Sequence, residues 1–266
     1  MPRLSINEMT TYRWSLDEDV RNYTAAGIPA IGVWRRKLSD FGEERGIELL
    51  KDSGLAVSNL LWAGGFTGSE GHTFRESIED AAEAIRLAAQ MSARCLVVYS
   101  GARAGHTHNH ARRLLIQALS ELAPVASERG VTLALEPMHP DCACDCTFLT
   151  SLSDAKVIVD HVASPCVCLS FDTYQLGGAP GIHDELRKLA PRIAIVHLAD
   201  GHPPGEEQHR TPLGRGCVPL KELLCALREG GYDGDFDVAL FGDEISPGCY
   251  QNLLRETKVE FERLTC

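Results

Sequence analysis

Residues Cys95–Glu136 read CLVVYSGARAGHTHNHARRLLIQALSELAPVASERGVTLALE, and they hold one complete unit of the fold. Cys95–Tyr99 is a short, β-branched apolar run with the character of a strand. His110–Arg129 carries Leu114, Leu115, Ala118, Leu119, Leu122 and Val125 at helical spacing, and Gly130 follows its end. Thr132–Glu136 is apolar again and closes on a carboxylate. Strand, amphipathic helix and strand in this order predict a βαβ unit.

The same alternation extends in both directions. Strand-like runs fall at Leu4–Met9, Ala30–Trp34, Ala56–Leu61, Cys95–Tyr99, Thr132–Glu136, Val167–Asp172, Ile193–Leu198 and Phe236–Phe241. Helical patterns fall at Ser15–Ala26, Gly42–Ser53, Phe74–Met91, His110–Arg129, Ser151–Val162, Gly181–Ala190, Pro219–Gly230 and Cys249–Leu264. Start and stop signals agree: Ser15 precedes an acidic first turn, Ser153-Asp154 opens a helix, and Gly27, Gly54, Gly130 and Gly230-Gly231 follow helix ends. Eight repeats over 266 residues give about 33 residues each, the proportion of a (β/α)8 barrel. The expectation is therefore an α/β protein, a single TIM-barrel domain over residues 1–266. An open doubly wound sheet competes, but the first strand runs into Met9-Thr10-Thr11-Tyr12 with no GxGxxG turn.

Composition narrows the function. A net charge of −11 argues against a nucleic-acid partner, because phosphate binding needs a basic face. A small sugar or polyol suits it better. No apolar run is long enough for a membrane span, and no long apolar stretch follows Arg3, so neither a membrane nor a secretory signal is expected and a cytoplasmic location is. Ten cysteines include Cys142, Cys144 and Cys146 and the pair Cys166 and Cys168. There is no CxxC pair, and a chain of this size builds its own core. The thiols are read as structural or incidental, with a redox or adventitious metal role as the alternative.

Active sites of such barrels lie at the C-terminal ends of the strands. Three consecutive runs end in metal-competent side chains: Glu136 in LALEPMH, Asp172 in LSFDTYQ and His197 in IVHLAD. One of these alone reads as a cap or an ion-pair partner. Three at equivalent heights read as a site for one divalent cation of the Mn, Mg, Co or Zn kind.

These motifs resemble the metal-binding motifs of the xylose-isomerase-like barrels, a group that includes tagatose and psicose 3-epimerases, inosose and hydroxypyruvate isomerases, 3-keto-glucoside epimerases and endonuclease IV. The resemblance covers nearly the whole chain. It implies a metal held by Glu136, Asp172 and His197, with Glu136 as a catalytic carboxylate. It implies a metal-dependent isomerase or epimerase of a sugar, keto-sugar or related polyol, working through a cis-enediolate. Arg210, in RTPLGRG, is similar to an arginine that contacts substrate in the group.

The departure lies on the eighth run, DVALF, where Ala239 stands at the place of a fourth ligand and second catalytic acid. A natural departure and an introduced Glu-to-Ala change give the same sequence; the regularity of the acid in the group favours the second. Glu244 replaces it only if the following loop folds back. Further substrate contacts are expected from His106, His139 and Gln175, with Trp62 and Phe66 as an apolar wall, against the plainer readings of loop polarity and core packing. Asp200 is expected to support Arg210. The run His106, His108, His110 reads as a rim loop rather than a zinc site. Competing functions are a lyase or dehydratase acting on a keto-sugar, a multi-zinc hydrolase or endonuclease, and a non-catalytic sugar-binding barrel. Self-association stays open.

Overall fold

The computed structural model describes residues 2–143, 146–203, 209–242 and 245–265. Eight parallel strands close into a barrel: β1 (Arg3–Asn7), β2 (Ala30–Trp34), β3 (Ala56–Gly64), β4 (Cys95–Tyr99), β5 (Thr132–Leu135), β6 (Val167–Asp172), β7 (Ile193–Leu198) and β8 (Asp235–Val238). Each pairs with its chain neighbours and β8 pairs with β1, so no barrel edge is left open. Eight long helices follow the strands: α1 (Leu16–Ala25), α2 (Glu43–Ser53), α3 (Phe74–Gln90), α4 (His108–Arg129), α5 (Leu152–Val162), α6 (Ile182–Leu189), α7 (Leu220–Glu229) and α8 (Tyr250–Thr265). This is the expected (β/α)8 architecture.

The reason is local chemistry repeated eight times. Apolar residues on the outer face of each strand meet the buried stripe of the helices in one continuous core. Caps set the helix ends: the Thr73 hydroxyl and the Glu76 carboxylate bond each other's backbone N–H at the start of α3, and Gly54 and Gly130 take left-handed conformations after α2 and α4. Thr107 caps α4, its hydroxyl accepting from His110 N at 3.3 Å. The helix therefore begins at His108, two residues before its apolar pattern does. This corrects the rim-loop reading of the three histidines, since only His106 lies in the loop.

Other boundaries shift for similar reasons. Strand β8 ends at Val238, short of the expected Phe241: Ala239 N still bonds Leu198 O of β7 at 3.0 Å, but the next residue leaves the sheet, with Leu240 N donating to Thr10 Oγ1 at 3.0 Å. Short helices at Arg35–Phe41, Pro140–Ala143 and Thr173–Leu176 follow β2, β5 and β6, and a two-residue hairpin pairs Asp200–Gly201 with Arg210–Thr211. These insertions lie beyond strand ends, where they build the mouth. Their runs are too short for hydrophobic periodicity to show.

Strand alternation sorts the barrel interior. Leu61, Cys95, Val97, Ala134 and Ile195 form a small apolar plug of their own. Ser5, Asn7, Ser58, Asn59, Glu136, Ser170, Asp172, His197 and Asp237 are all buried. Buried polar groups of this number need partners, and those partners define the site.

Candidate active site

Glu136 follows β5, Asp172 ends β6 and His197 lies one residue before the end of β7, directly across from Asp172 in the strand register. Each offers a donor atom within 4.8 Å of the others, and all three are buried. Among the described residues this is the one such group of metal-competent side chains. Glu136 Oε2 accepts from Ser170 Oγ at 2.5 Å and lies 2.8 Å from His197 Nδ1, while Oε1 accepts from Tyr99 Oη at 3.2 Å. Asp172 Oδ1 accepts from Gln175 N at 3.0 Å, and Oδ2 pairs with Arg210 Nη1 at 2.7 Å.

The electrostatics follow from burial and pairing. Burial opposes a charged imidazole, but Glu136, hydrogen-bonded to the ring, outweighs it together with Asp237 and Asp172, and His197 is lifted to about 9. Burial likewise opposes the Glu136 carboxylate, yet His197, Ser170 and Arg210 hold its pKa below the ordinary value. Two carboxylates and an imidazole converging on one point suit a divalent ion of borderline or hard character. His197 Nδ1 and Glu136 Oε2 lie 2.8 Å apart, and both would turn lone pairs toward a bound cation once the ring gives up its proton. The donor set fits a metal.

A polar layer beneath the site escaped the sequence reading. Asp237 on β8 is fully buried; its Oδ2 accepts from Asn7 Nδ2 at 2.7 Å and Asn59 Nδ2 at 2.8 Å and lies 3.9 Å from His197 Nε2. That nitrogen has no hydrogen-bond partner. Burial pushes the Asp237 carboxyl up, against the pull of His197 and the two asparagines. Gly32 is required here: a Cβ on it would stand 2.4 Å from Asp237 Oδ2 and 2.5 Å from Asn7 Nδ2. The signal was present in the inward alternation: Ser170 sits two residues before Asp172, and Asp237 two before Ala239. Tyr99, at the end of β4, was open to the same rule.

The secondary candidates divide. Arg210 does reach the centre: its side chain is buried, Nη1 also donates to Ala239 O at 3.0 Å, and the guanidinium lies over the Tyr174 and Phe241 rings at 4.9 and 4.5 Å. Its expected partner Asp200 is a correction. That carboxylate accepts from Gly201 N and Val218 N and so pins the hairpin, leaving Arg210 to Asp172. Gln175 is buried and its Oε1 accepts from His139 N at 3.0 Å, tying together the loops after β5 and β6. Trp62 stands with Met9, Trp34 and Tyr99 against the apolar plug, its ring edge-on to Tyr99 at 5.8 Å. Phe66 is a second correction: it is wholly buried in the outer core, and offers no wall to a ligand. His106 Nε2 donates to Thr67 O at 3.2 Å, the ring stacks on His110 at 4.7 Å, and it forms no metal-competent group with other described residues. Ala239 is buried next to the site. Glu244 and Cys144 lie outside the described residues; Cys142 is buried and Cys146 exposed.

A closed barrel with a carboxylate–imidazole centre at its C-terminal mouth defines the class, and the sequence comparisons define the family. Residues 20–261 match the Xylose isomerase-like TIM barrel, and the chain belongs to that family. Among curated relatives, an inosose isomerase of Halalkalibacterium halodurans is 30% identical over 139 residues, 50% of this chain and 48% of that protein. A fructoselysine 3-epimerase of Shigella flexneri is 29% identical over 176 residues, 64% of this chain and 60% of that protein. The chain thus matches about half the length of these curated relatives. A solved structure from Sinorhizobium meliloti 1021 superposes with a TM-score of 0.89 at 25% identity, covering 98% of both chains. The IOLI protein, solved with a bound zinc atom, superposes at 0.84 with 21% identity over 99% of this chain and 98% of that one. No described helix is long and apolar enough to cross a membrane.

Proposed function

We propose that the protein is a metal-dependent isomerase or epimerase of a sugar, keto-sugar or related polyol. The observation that carries this reading is the convergence of Glu136, Asp172 and His197 at the barrel mouth. The relatives named above act as inosose isomerase and fructoselysine 3-epimerase, which supports a keto-sugar or inosose substrate. Glu136, Asp172 and His197 would hold the cation, of the Mn, Mg, Co or Zn kind. When bound, it supplies Lewis acidity that polarises the substrate carbonyl and acidifies the neighbouring C–H. Glu136 takes that proton, since its carboxylate is held ionised. Ser170 and Tyr99 fix the orientation of its two oxygens. Arg210, His139 and Gln175 border the substrate hydroxyls.

Ala239 limits this chemistry. Inversion at a carbon needs a second acid on the opposite face, and alanine moves no proton. The chain therefore exchanges or shifts a proton on one face through Glu136, and a carboxylate at 239 makes inversion available. A one-base lyase or dehydratase is the second reading, favoured by the same Ala239, because in a syn β-elimination Glu136 can pass the proton it takes to the departing hydroxyl, which leaves as water, and no second acid is needed.

The test incubates the chain and its Ala239→Glu variant with keto sugars and inososes in D2O, with Mn, Mg or Co. Deuterium at the carbon next to the carbonyl is expected from both, and epimerised product, raised about 10²- to 10⁴-fold, from the variant. Dehydrated product from the chain as it stands, slowed by the added carboxylate, establishes the lyase instead.

A further inference from the structure

At the end of the barrel opposite the metal-competent group, strand starts and the ends of α2, α3 and α4 enclose a concavity of about 880 Å³. Lys51 on the last turn of α2, Arg129 on the last turn of α4, and Arg3 and Arg94 at the starts of β1 and β4 line it. Among the described residues no aspartate or glutamate lines it, in a chain of net charge −11. The exposed side chains of Lys51 and Arg129 have no partner among the described residues. Arg94 Nη2 stands 3.8 Å from the carboxylate of Asp233, which is 96% exposed. Arg3 donates from Nε and Nη2 to Asp235 and keeps Nη1 free.

Helix dipoles account for part of this. A cation on the last turn complements a helix C-terminus, as Lys51 and Arg129 do. Arg3 and Arg94 stand on strand starts, where no helix dipole asks for a cation. Each helix end brings about half a negative charge, so three ends offset less than Lys51, Arg94 and Arg129 supply.

The helix stops also differ. Gly54 and Gly130 take left-handed backbone after α2 and α4, at φ 75° and 69°, which suits glycine. Ser92 takes the same turn after α3, at φ 56°. A side chain is disfavoured there, and the Ser92 hydroxyl makes no hydrogen bond to a described residue. The wall thus carries a free hydroxyl where its two counterparts carry none, and Thr132 adds a second. Val57, Met91 and Val131 give the concavity a buried apolar floor.

We infer that this concavity binds a small organic anion carrying two phosphoryl groups, with its body on the apolar floor and its phosphoryl oxygens on the four cations and Ser92. A carboxylate offers two oxygens and one charge. A phosphoryl group offers three oxygens and about two charges, which suits donors arranged around a rim. The volume exceeds what one inorganic phosphate fills and lies within the range of small-molecule sites. A long polyanion fits less well, because Asp52 and Glu128 stand exposed on the same last turns as Lys51 and Arg129 and repel it.

Calorimetry on the full chain without added metal tests this. Fructose 1,6-bisphosphate and ADP distinguish a sugar body from a nucleoside body; fructose 6-phosphate, citrate and a single-stranded oligonucleotide are the comparisons. At least one of the first two is expected to bind one per chain, roughly 10- to 100-fold more tightly than fructose 6-phosphate, and to weaken as salt rises. Replacing Lys51→Ala and Arg129→Ala together is expected to weaken it about 10-fold or more and to leave Mn2+ uptake unchanged, with circular dichroism confirming the fold. Ser92→Gly removes the hydroxyl and relieves the backbone. It is expected to hold or raise the melting temperature while weakening the bisphosphate or ADP, which a purely structural serine would not do. Failure of both probes to bind, affinity unmoved by the Lys51 and Arg129 changes, or citrate or the oligonucleotide binding as tightly overturns the inference.

Discussion

Two buried ionic clusters flank the mouth of this barrel, and they differ in how their hydrogen bonds close. Lys37, in the short helix after β2, spends all three ammonium protons: on Glu8 O and Thr11 O at 2.9 Å each and on Asp19 Oδ2 at 2.6 Å. Asp19 Oδ1 takes the Thr11 hydroxyl at 2.5 Å, and Glu8 Oε2 takes Trp34 N at 2.7 Å. Glu8 Oε1 is the one side-chain atom of this cluster left over, on a carboxyl that burial pushes toward its neutral form. In the second cluster, His197 Nε2, Arg210 Nε and Asp237 Oδ1 all lack partners. Burial alone thus does not mark a functional charge. The first cluster fastens the loop after β1 to the helices beside it. The second keeps donors and acceptors unspent, which is the state of a site built for something not supplied by the chain itself.

The largest effect that separates the two is expected from Glu136→Gln. The amide keeps an acceptor for Tyr99 but loses the anionic ligand and base, so Mn2+ affinity falls by more than about 100-fold, beyond the roughly 10- to 100-fold typical of outer-sphere partners. Proton exchange falls about 10²- to 10⁴-fold. At pH 9 and above in chelator, where His197 is losing its proton anyway, melting temperature should move little, and at lower pH it falls with the lost pairing. Full Mn2+ content in the variant would show that the second cluster is only structural.

Lys37→Met should do the reverse. Removing one partner of a buried pair leaves Asp19 uncompensated, at a cost of about 3–5 kcal/mol, read from urea unfolding. Mn2+ affinity of the folded fraction should stay within about twofold of the parent, a margin set by the distance additivity of unconnected sites. Equal losses of stability and metal binding would merge the two clusters into one network.

The smallest expected effect is a pH slope in the metal-free chain. His197 titrates at about 9 when folded, above the roughly 6.5 of an unfolded histidine. The folded state then binds the extra proton between these values, so the stability it contributes is full below 6.5 and is lost as the pH rises through 9. Melts in chelator at pH 6, 7.5 and 9 measure it. Saturating Mn2+ should flatten the slope, since the ion replaces that proton. A flat profile in chelator would leave His197 without its charged pairing to Glu136.

Much of this was legible in the chain itself. The eight strand–helix repeats, with helix stops at Gly54 and Gly130, specify a barrel through local propensity and period, although the fifth helix is capped by Ser151 and not opened at Ser153-Asp154; barrel geometry then puts Glu136, Asp172 and His197 at one end. Strand ends have equal heights only because the repeats are regular, so the triad could be read from sequence. Side-chain partners across the barrel could not. Asn7, Gly32, Asn59 and Asp237 lie far apart in the chain, and closure of β8 onto β1 alone brings them to one point. The same holds for Arg210, whose short hairpin carries no periodicity: the sequence admitted Asp200 as its partner, and packing chose Asp172. Propensity acts over a few neighbouring residues, whereas the acceptor a buried guanidinium meets depends on which strands the closed sheet brings beside it.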